Sequence, residues 1–334
     1  MSKLYTIILV VVLGLAIQMP VFAQGHYVAW QNTFNENFFK LQQVGFSSDS
    51  KYLAVGYDKG TVRVFTADSG FVVRQYHPAE YHVYCTKFRP GTTVVASGDK
   101  KGNIVLYDFQ ADKELFRIKA HEKAVTAMYF SSDGKWMITG SKDGSIKVWD
   151  AATGKLLNTV WYNKKHKVQS LYLDKDGHTI ISGITGFSRG LRMFDMNTGV
   201  ETENYEIANV EHFDVSPNGF SIAVGSLHRK LYLVSLKKRT VTAVLKGHKG
   251  WTTDVCYNNT GRVMFTASND NRVFAWLADG SKHMPVYKIK RDIDGVKCSP
   301  DGKYLAILGV NEKLTVMYVG NIEDEIRAYV PPAK

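Results

Sequence analysis

Cysteine is scarce, and what there is stands far apart. Cys85, Cys256 and Cys298 are the only three in 334 residues, too few and too dispersed for the framework of a small disulfide-stapled domain. No Cys-x-x-Cys occurs, which removes the thiolate knuckle of a structural metal site. The three are read as small buried hydrophobes, with one disulfide pair left open. Long apolar runs are also missing beyond the first twenty residues, so no later segment reaches the ~20 residues that a membrane helix needs. No polar low-complexity tract appears, and disorder is therefore not the organising feature. Acids are in deficit, 31 against 42 Lys and Arg, for a formal charge of +11. Such a surface is drawn to anionic partners.

Signatures of local catalysis are absent too. There is no His-Glu-x-x-His, no Gly-x-Ser-x-Gly and no glycine-rich phosphate loop. Asp174-Lys175-Asp176-Gly177 and Asp292-Ile293-Asp294-Gly295 open like calcium loops, but Thr185 and Lys303 stand where the closing Glu is required. Both are read as turns, and neither a metal nor a cofactor is expected.

The amino-terminal residues follow another pattern. Lys3 precedes an apolar run from Leu4 to Ile17, and Val21-Phe22-Ala23 follows it. A basic start, a short apolar stretch and small residues match a cleavable export signal over residues 1–23. The expectation is an exported, soluble protein, periplasmic first and secreted as the alternative, with residues 24–334 as one domain.

What is present is a repeat. FSSDGKWMITGSKDGSIKVWD, beginning at Phe130, has counterparts beginning at Phe46, Phe88, Leu173, Val215, Tyr257 and Cys298, at intervals of 42, 42, 43, 42, 42 and 41 residues. Each unit runs strand, turn, strand, tight turn, strand and fourth strand, with the first turn supplied by Asp133-Gly134, Asp176-Gly177, Asn218-Gly219 and Asp301-Gly302 in four of them. Four strands in 40–45 residues is the arithmetic of a propeller blade. No helical period extends over 11 residues. The expected fold is an all-β, seven-bladed propeller closed by a terminal strand, either Trp30–Phe34 or Glu325–Val330.

Here the chain resembles the WD40-repeat family, over nearly all of residues 25–330. Trp149-Asp150 ends a third strand, and Ala120-His121 and Gly247-His248 precede two first strands. The resemblance implies a buried hydrogen-bonded tetrad in each of two repeats: His121, Thr139, Asp143 and Trp149, then His248, Thr266, Asp270 and Trp276 at the same offsets. An Asp–His pair invites a catalytic reading, but the structural role explains these residues better. The other five third strands end in Phe65, Tyr107, Phe194, Val234 or Met317 without a matching His, and must rely on apolar packing.

The resemblance also implies that first strands line a central channel, and that fourth-to-first and second-to-third connections share one face, here the top. Six residues before each repeat start stand Lys40, His82, Ala124, Lys167, Asn209, Trp251 and Asp292. Eight before it stand Phe38, Glu80, Glu122, Lys165, Ile207, Lys249 and Lys290. These rings suit the holding of a partner, with His82 and Trp251 as anchors, because aromatics carry disproportionate binding energy. From repeat start to the end of the third strand the fourth repeat spans 21 residues against 19 in the other six, the extra two falling in a glycine-flanked loop that carries Phe187 and Arg189. Bases cluster on the same face, with Arg229 among them. The expected function is a non-enzymatic protein–protein scaffold in a cell-envelope complex, with acidic or envelope-associated protein partners and no nucleic acid. A glycan- or anionic-ligand-binding propeller is the alternative, and a multi-blade lyase or lactonase a more distant one. The Ser299-Pro300-Asp301-Gly302-Lys303 turn is similar to those of periplasmic envelope-maintenance propellers.

Overall fold

A computed structural model describes residues 26–33, 44–186, 190–207, 210–309 and 313–331. Seven four-stranded antiparallel sheets stand around an axis, each with its strands in sequential order from the inside outward, save one. The fold is a seven-bladed β-propeller. In blade 3 the strands are Val125–Phe130, Trp136–Ser141, Ser145–Asp150 and Leu156–Tyr162. The exception is blade 7, where Ile293–Cys298, Tyr304–Gly309 and Lys313–Tyr318 are completed by the amino-terminal strand Tyr27–Thr33.

The alternation of the sequence explains why these strands stack as blades. Second and third strands are apolar on both faces because neighbouring blades cover both, so Val94–Asp99 and Val263–Ser268 are buried at every position. Outer strands alternate or face solvent, as in Lys113–Lys119. Where the tetrad is missing, apolar side chains fill its space: Phe65, Phe194, Val234 and Met317 are buried in clusters between blades. In blade 2, Tyr107 stacks on Tyr76 of blade 1 with ring centroids 3.9 Å apart.

Closure by the amino-terminal strand answers a liability, since an open ring would expose the edge of Lys313–Tyr318. Trp30 locks the join. Its indole donates to the Ala67 carbonyl of blade 1 at 2.8 Å, and its ring lies 5.8 Å from that of Phe65. The competing expectation, a closing strand over Glu325–Val330, is corrected: Ile322–Ala328 is a helix. Ile322 and Ile326, one turn apart, bury one face, while Glu323 and Asp324 in the first turn and Arg327 in the last suit the helix dipole. The helix is tied to the closing strand by a buried pair, His26 Nδ1 to Glu325 Oε2 at 2.5 Å.

The export-signal residues 1–23 lie outside the described residues, as do Lys40, Phe187 and Arg189. The three cysteines are free thiols, Cys85 and Cys256 buried and Cys298 partly so. Among the described residues, no helix is long and apolar enough to cross a membrane.

Candidate interaction face and central channel

Strand direction fixes the two faces. First strands run downward and second strands return, so the second-to-third turns and the blade-to-blade connections meet at the top. In blades 1–3 the turn before the third strand needs a left-handed residue, supplied by Gly60, Gly102 and Gly144. A Cβ at Gly102 would lie 2.0 Å from the His121 carbonyl oxygen, so glycine is required there. Blades 5 and 6 place Arg229 and Asn271 in the same conformation, with φ of 61° and 70°.

The two tetrads lie just beneath this face. In blade 3, the Trp149 indole donates to Thr139 Oγ1 at 2.8 Å, and that hydroxyl meets His121 Nε2 at 2.8 Å. His121 Nδ1 faces Asp143 Oδ2 at 3.2 Å and Ser145 Oγ at 2.8 Å. Asp143 also accepts from the amides of Glu122 and Ser145. In blade 6, Trp276 donates to Thr266 at 2.8 Å, His248 Nε2 meets Thr266 at 2.7 Å, and Nδ1 meets Asp270 at 3.1 Å. Every polar group in these chains has a partner, and His121 and Thr139 are sealed from solvent. Burial holds the His121 imidazole below its ordinary range, against the pull of Asp143. For Asp143, burial acts upward, but hydrogen bonds from His121 and Ser145 outweigh it and hold the carboxyl below the usual carboxylate range. A neutral, fully bonded imidazole with no route to solvent positions a turn; it does not shuttle protons.

Above the tetrads, the rim residues separate. Trp251 is half exposed at 50%, although its backbone is clamped to the neighbouring turn by its amide on Asn269 Oδ1 at 2.6 Å and the Asn269 amide on its carbonyl at 3.2 Å. Lys249 precedes it, and the Lys249 amide is fixed on Asp270 at 2.7 Å. The tetrad thus holds the loop that displays the indole. Lys165, Lys167, Lys249, Arg229 and Lys290 are all exposed, and none pairs with a described carboxylate within 4.0 Å. Other lysines and arginines do form ion pairs: Lys51–Asp49, Lys135–Asp133 and Lys303–Asp301 on the bottom turns, Arg239–Glu203 and Arg74–Asp112 toward the outer and lower edges. His82 is not displayed in the same way. Its Nδ1 lies 2.8 Å from Asp58 Oδ1 of blade 1, with the side chain three-quarters covered, so it joins blades 1 and 2. Ala124 and Ile207 of the two rings are buried.

Two rim features were not singled out in the sequence. Tyr81 is 44% exposed with Lys101 Nζ 5.0 Å over its ring, and Tyr162 is 55% exposed with Lys164 Nζ at 6.0 Å. The second omission is larger. One residue before each repeat start stand Gly45, Lys87, Tyr129, Tyr172, Asp214, Cys256 and Lys297. Most of this ring, with Asp254 and His212, lines a cavity on the axis. The signal was the same period, read one residue before the start instead of six. Among the described residues, no three His, Cys, Asp or Glu side chains gather to hold a metal.

The profile described as WD domain, G-beta repeat matches residues 112–150 and 239–276. Those segments hold the two tetrads. The chain carries WD40 repeats. Over 299 residues it is 25% identical to periodic tryptophan protein 2 of Saccharomyces cerevisiae, an alignment covering 87% of this chain and 32% of that protein. It is 21% identical over 285 residues to the U3 small nucleolar RNA-associated protein 15 homolog of Gallus gallus, covering 85% of this chain and 54% of the relative. A 135-residue stretch is 30% identical to U3 small nucleolar RNA-associated protein 12 of S. cerevisiae, covering 40% of this chain and 14% of the relative. The chain therefore spans about a third of the length of the first of these relatives.

These relatives overturn the expected location. Residues 1–23 predict an exported protein, periplasmic or secreted, whereas two of these relatives are named for a small nucleolar RNA. The cell-envelope setting falls with it. The physical reason is the poverty of the pattern: one base, a short apolar run and a small residue are set by composition alone.

Proposed function

We propose that this propeller is a non-enzymatic interaction scaffold whose top face docks an acidic protein segment, within an assembly of the RNA-associated kind named in its relatives. The observation that carries this reading is the distribution of charge. Lys165, Lys167, Lys249, Arg229 and Lys290 stand exposed on the face that displays Trp251, with no described carboxylate within 4.0 Å. A clamped, half-exposed indole among free ammonium groups has the anatomy of a binding hot spot with a steering rim.

A second reading rests on Tyr81 and Tyr162. Exposed rings accompanied by lysines also suit stacked bases of a single strand, so the sequence-based exclusion of nucleic acid is not carried forward. The test is capture of the tagged full chain from its own cells at two salt concentrations, with and without ribonuclease. Partners that survive ribonuclease and are lost in Trp251→Ala with Lys249→Glu support the protein-docking reading. Partners retained by that variant would refute it, and loss of all partners on ribonuclease treatment would reassign the face to RNA.

A further inference from the structure

The cavity on the axis is lined by charged groups, of which His212 Nδ1 and Asp254 Oδ1 lie 3.9 Å apart. Lys87 of blade 2, Asp214 of blade 5, Asp254 of blade 6 and Lys297 of blade 7 all line it, yet neither lysine comes within 4.0 Å of a described carboxylate. The carboxylates are engaged otherwise. Asp214 accepts the Tyr257 amide at 2.8 Å, and Asp254 accepts the amides of Val255 and Val296 at 2.8 and 3.1 Å. Between the two lysines around the ring comes blade 1, where the equivalent position is Gly45 and the preceding Val44 lines the cavity. A Cβ on Gly45 would lie 3.0 Å from the Thr86 carbonyl, so the first strands of blades 1 and 2 approach closely there. On the far side of Lys87, Tyr129 and Tyr172 line the same cavity with ring centroids 5.0 Å apart, and neither hydroxyl bonds to a described residue.

We infer that this channel cavity binds a small oxyanion, a phosphate or a carboxylate, between the ammonium groups of Lys87 and Lys297, with the Tyr129 hydroxyl as a further donor. Direct attraction and hydrogen bonding from preset donors is how proteins hold such anions. The lysines differ in what they lack. Burial acts to lower Lys297, but Asp214 and Asp254 outweigh it and push it up to about 12. Burial and then the charge of Lys297 push Lys87 down to about 8. The Lys87 ammonium lies 5.9 Å over the Tyr129 ring with no described carboxylate within 4.0 Å, and an oxyanion would supply a direct counter-charge. Asp214 and Asp254 oppose a highly charged ligand, which limits the site to small anions of low charge.

The site is independent of the rim reading and is tested apart from it. Inorganic phosphate and, separately, acetate are titrated calorimetrically into the full chain. Saturable binding of either, one per chain, is expected, and the arm that responds identifies the source. Lys87→Met should weaken binding at least tenfold, Tyr129→Phe by about threefold, and the rim pair Lys249→Ala with Lys290→Ala should leave it unchanged. Should Lys87→Met not fold, Tyr129→Phe decides. No saturable binding of either anion, binding unaffected by both channel variants, or loss that follows the rim pair would each overturn the proposal.

Discussion

At the scale of single residues, Thr139 shows how much one hydroxyl organises. Its oxygen accepts the hydrogen bond of the Trp149 indole N–H and meets the His121 ring, both at 2.8 Å, so Thr139→Val leaves two buried polar groups unpaired. A loss of about 2–3 kcal/mol is expected, read from the urea midpoint. The tetrad also makes a pH prediction. His121 takes up a proton near 6.5 when unfolded, while burial in the fold keeps it neutral. Below that pH the unfolded chain binds more protons, so this contribution is complete above about 6.5 and is lost on acidification, by up to about 1.4 kcal/mol per pH unit. Thermal midpoints should fall from pH 7 to pH 5 in the wild type and fall less in His121→Gln. The residue types and offsets of both tetrads could be read in the sequence because hydrogen bonding over fixed strand spacings demands them. The pairing of His82 with Asp58 could not, because it joins two blades.

At the scale of elements, the left-handed turn residues make a matched pair of predictions. Gly102 sits with φ +88 and a carbonyl oxygen 2.0 Å from a would-be Cβ, so Gly102→Ala should cost about 2 kcal/mol or more. Arg229 holds the same turn in blade 5 at φ 61, and Arg229→Gly should stabilise by about 1 kcal/mol. Chemical denaturation checks both signs. The closing strand is the other element with consequences. Trp30→Ala removes the indole bond to Ala67 and the packing on Phe65, at an expected cost of about 3 kcal/mol. Glu325→Ala leaves buried His26 without its acid partner and should cost about 1–3 kcal/mol. The sequence left both termini as candidates for closure, since either could supply a strand by composition. The choice rests on Ile322 and Ile326 sharing one helical face against blades 6 and 7, a contact with no periodic echo elsewhere in the chain.

At the scale of the molecule, the exposed bases of the top face, Lys165, Lys167, Lys249, Arg229 and Lys290, predict salt behaviour. If the top face docks an anionic partner, affinity should fall steeply with ionic strength, and Lys165→Glu with Lys167→Glu should lower the association rate more than they raise dissociation. Stopped-flow kinetics with the captured partner separates the two rates. Net charge is visible from composition, but which bases share a rim follows from the strand order, which gathers connections about 42 residues apart onto one face.

The sequence by itself determined the seven units, the four strands in each and the residues of both tetrads. It could do so because a repeated structural unit imposes the same burial and turn chemistry at every period. Tertiary structure alone decided which terminus closes the ring, which rim bases stay unpaired, and that Lys87, Lys297, Asp214 and Asp254 face one cavity without pairing. Those facts depend on how blades distant in the chain meet around an axis, and a local pattern carries no record of distance across it.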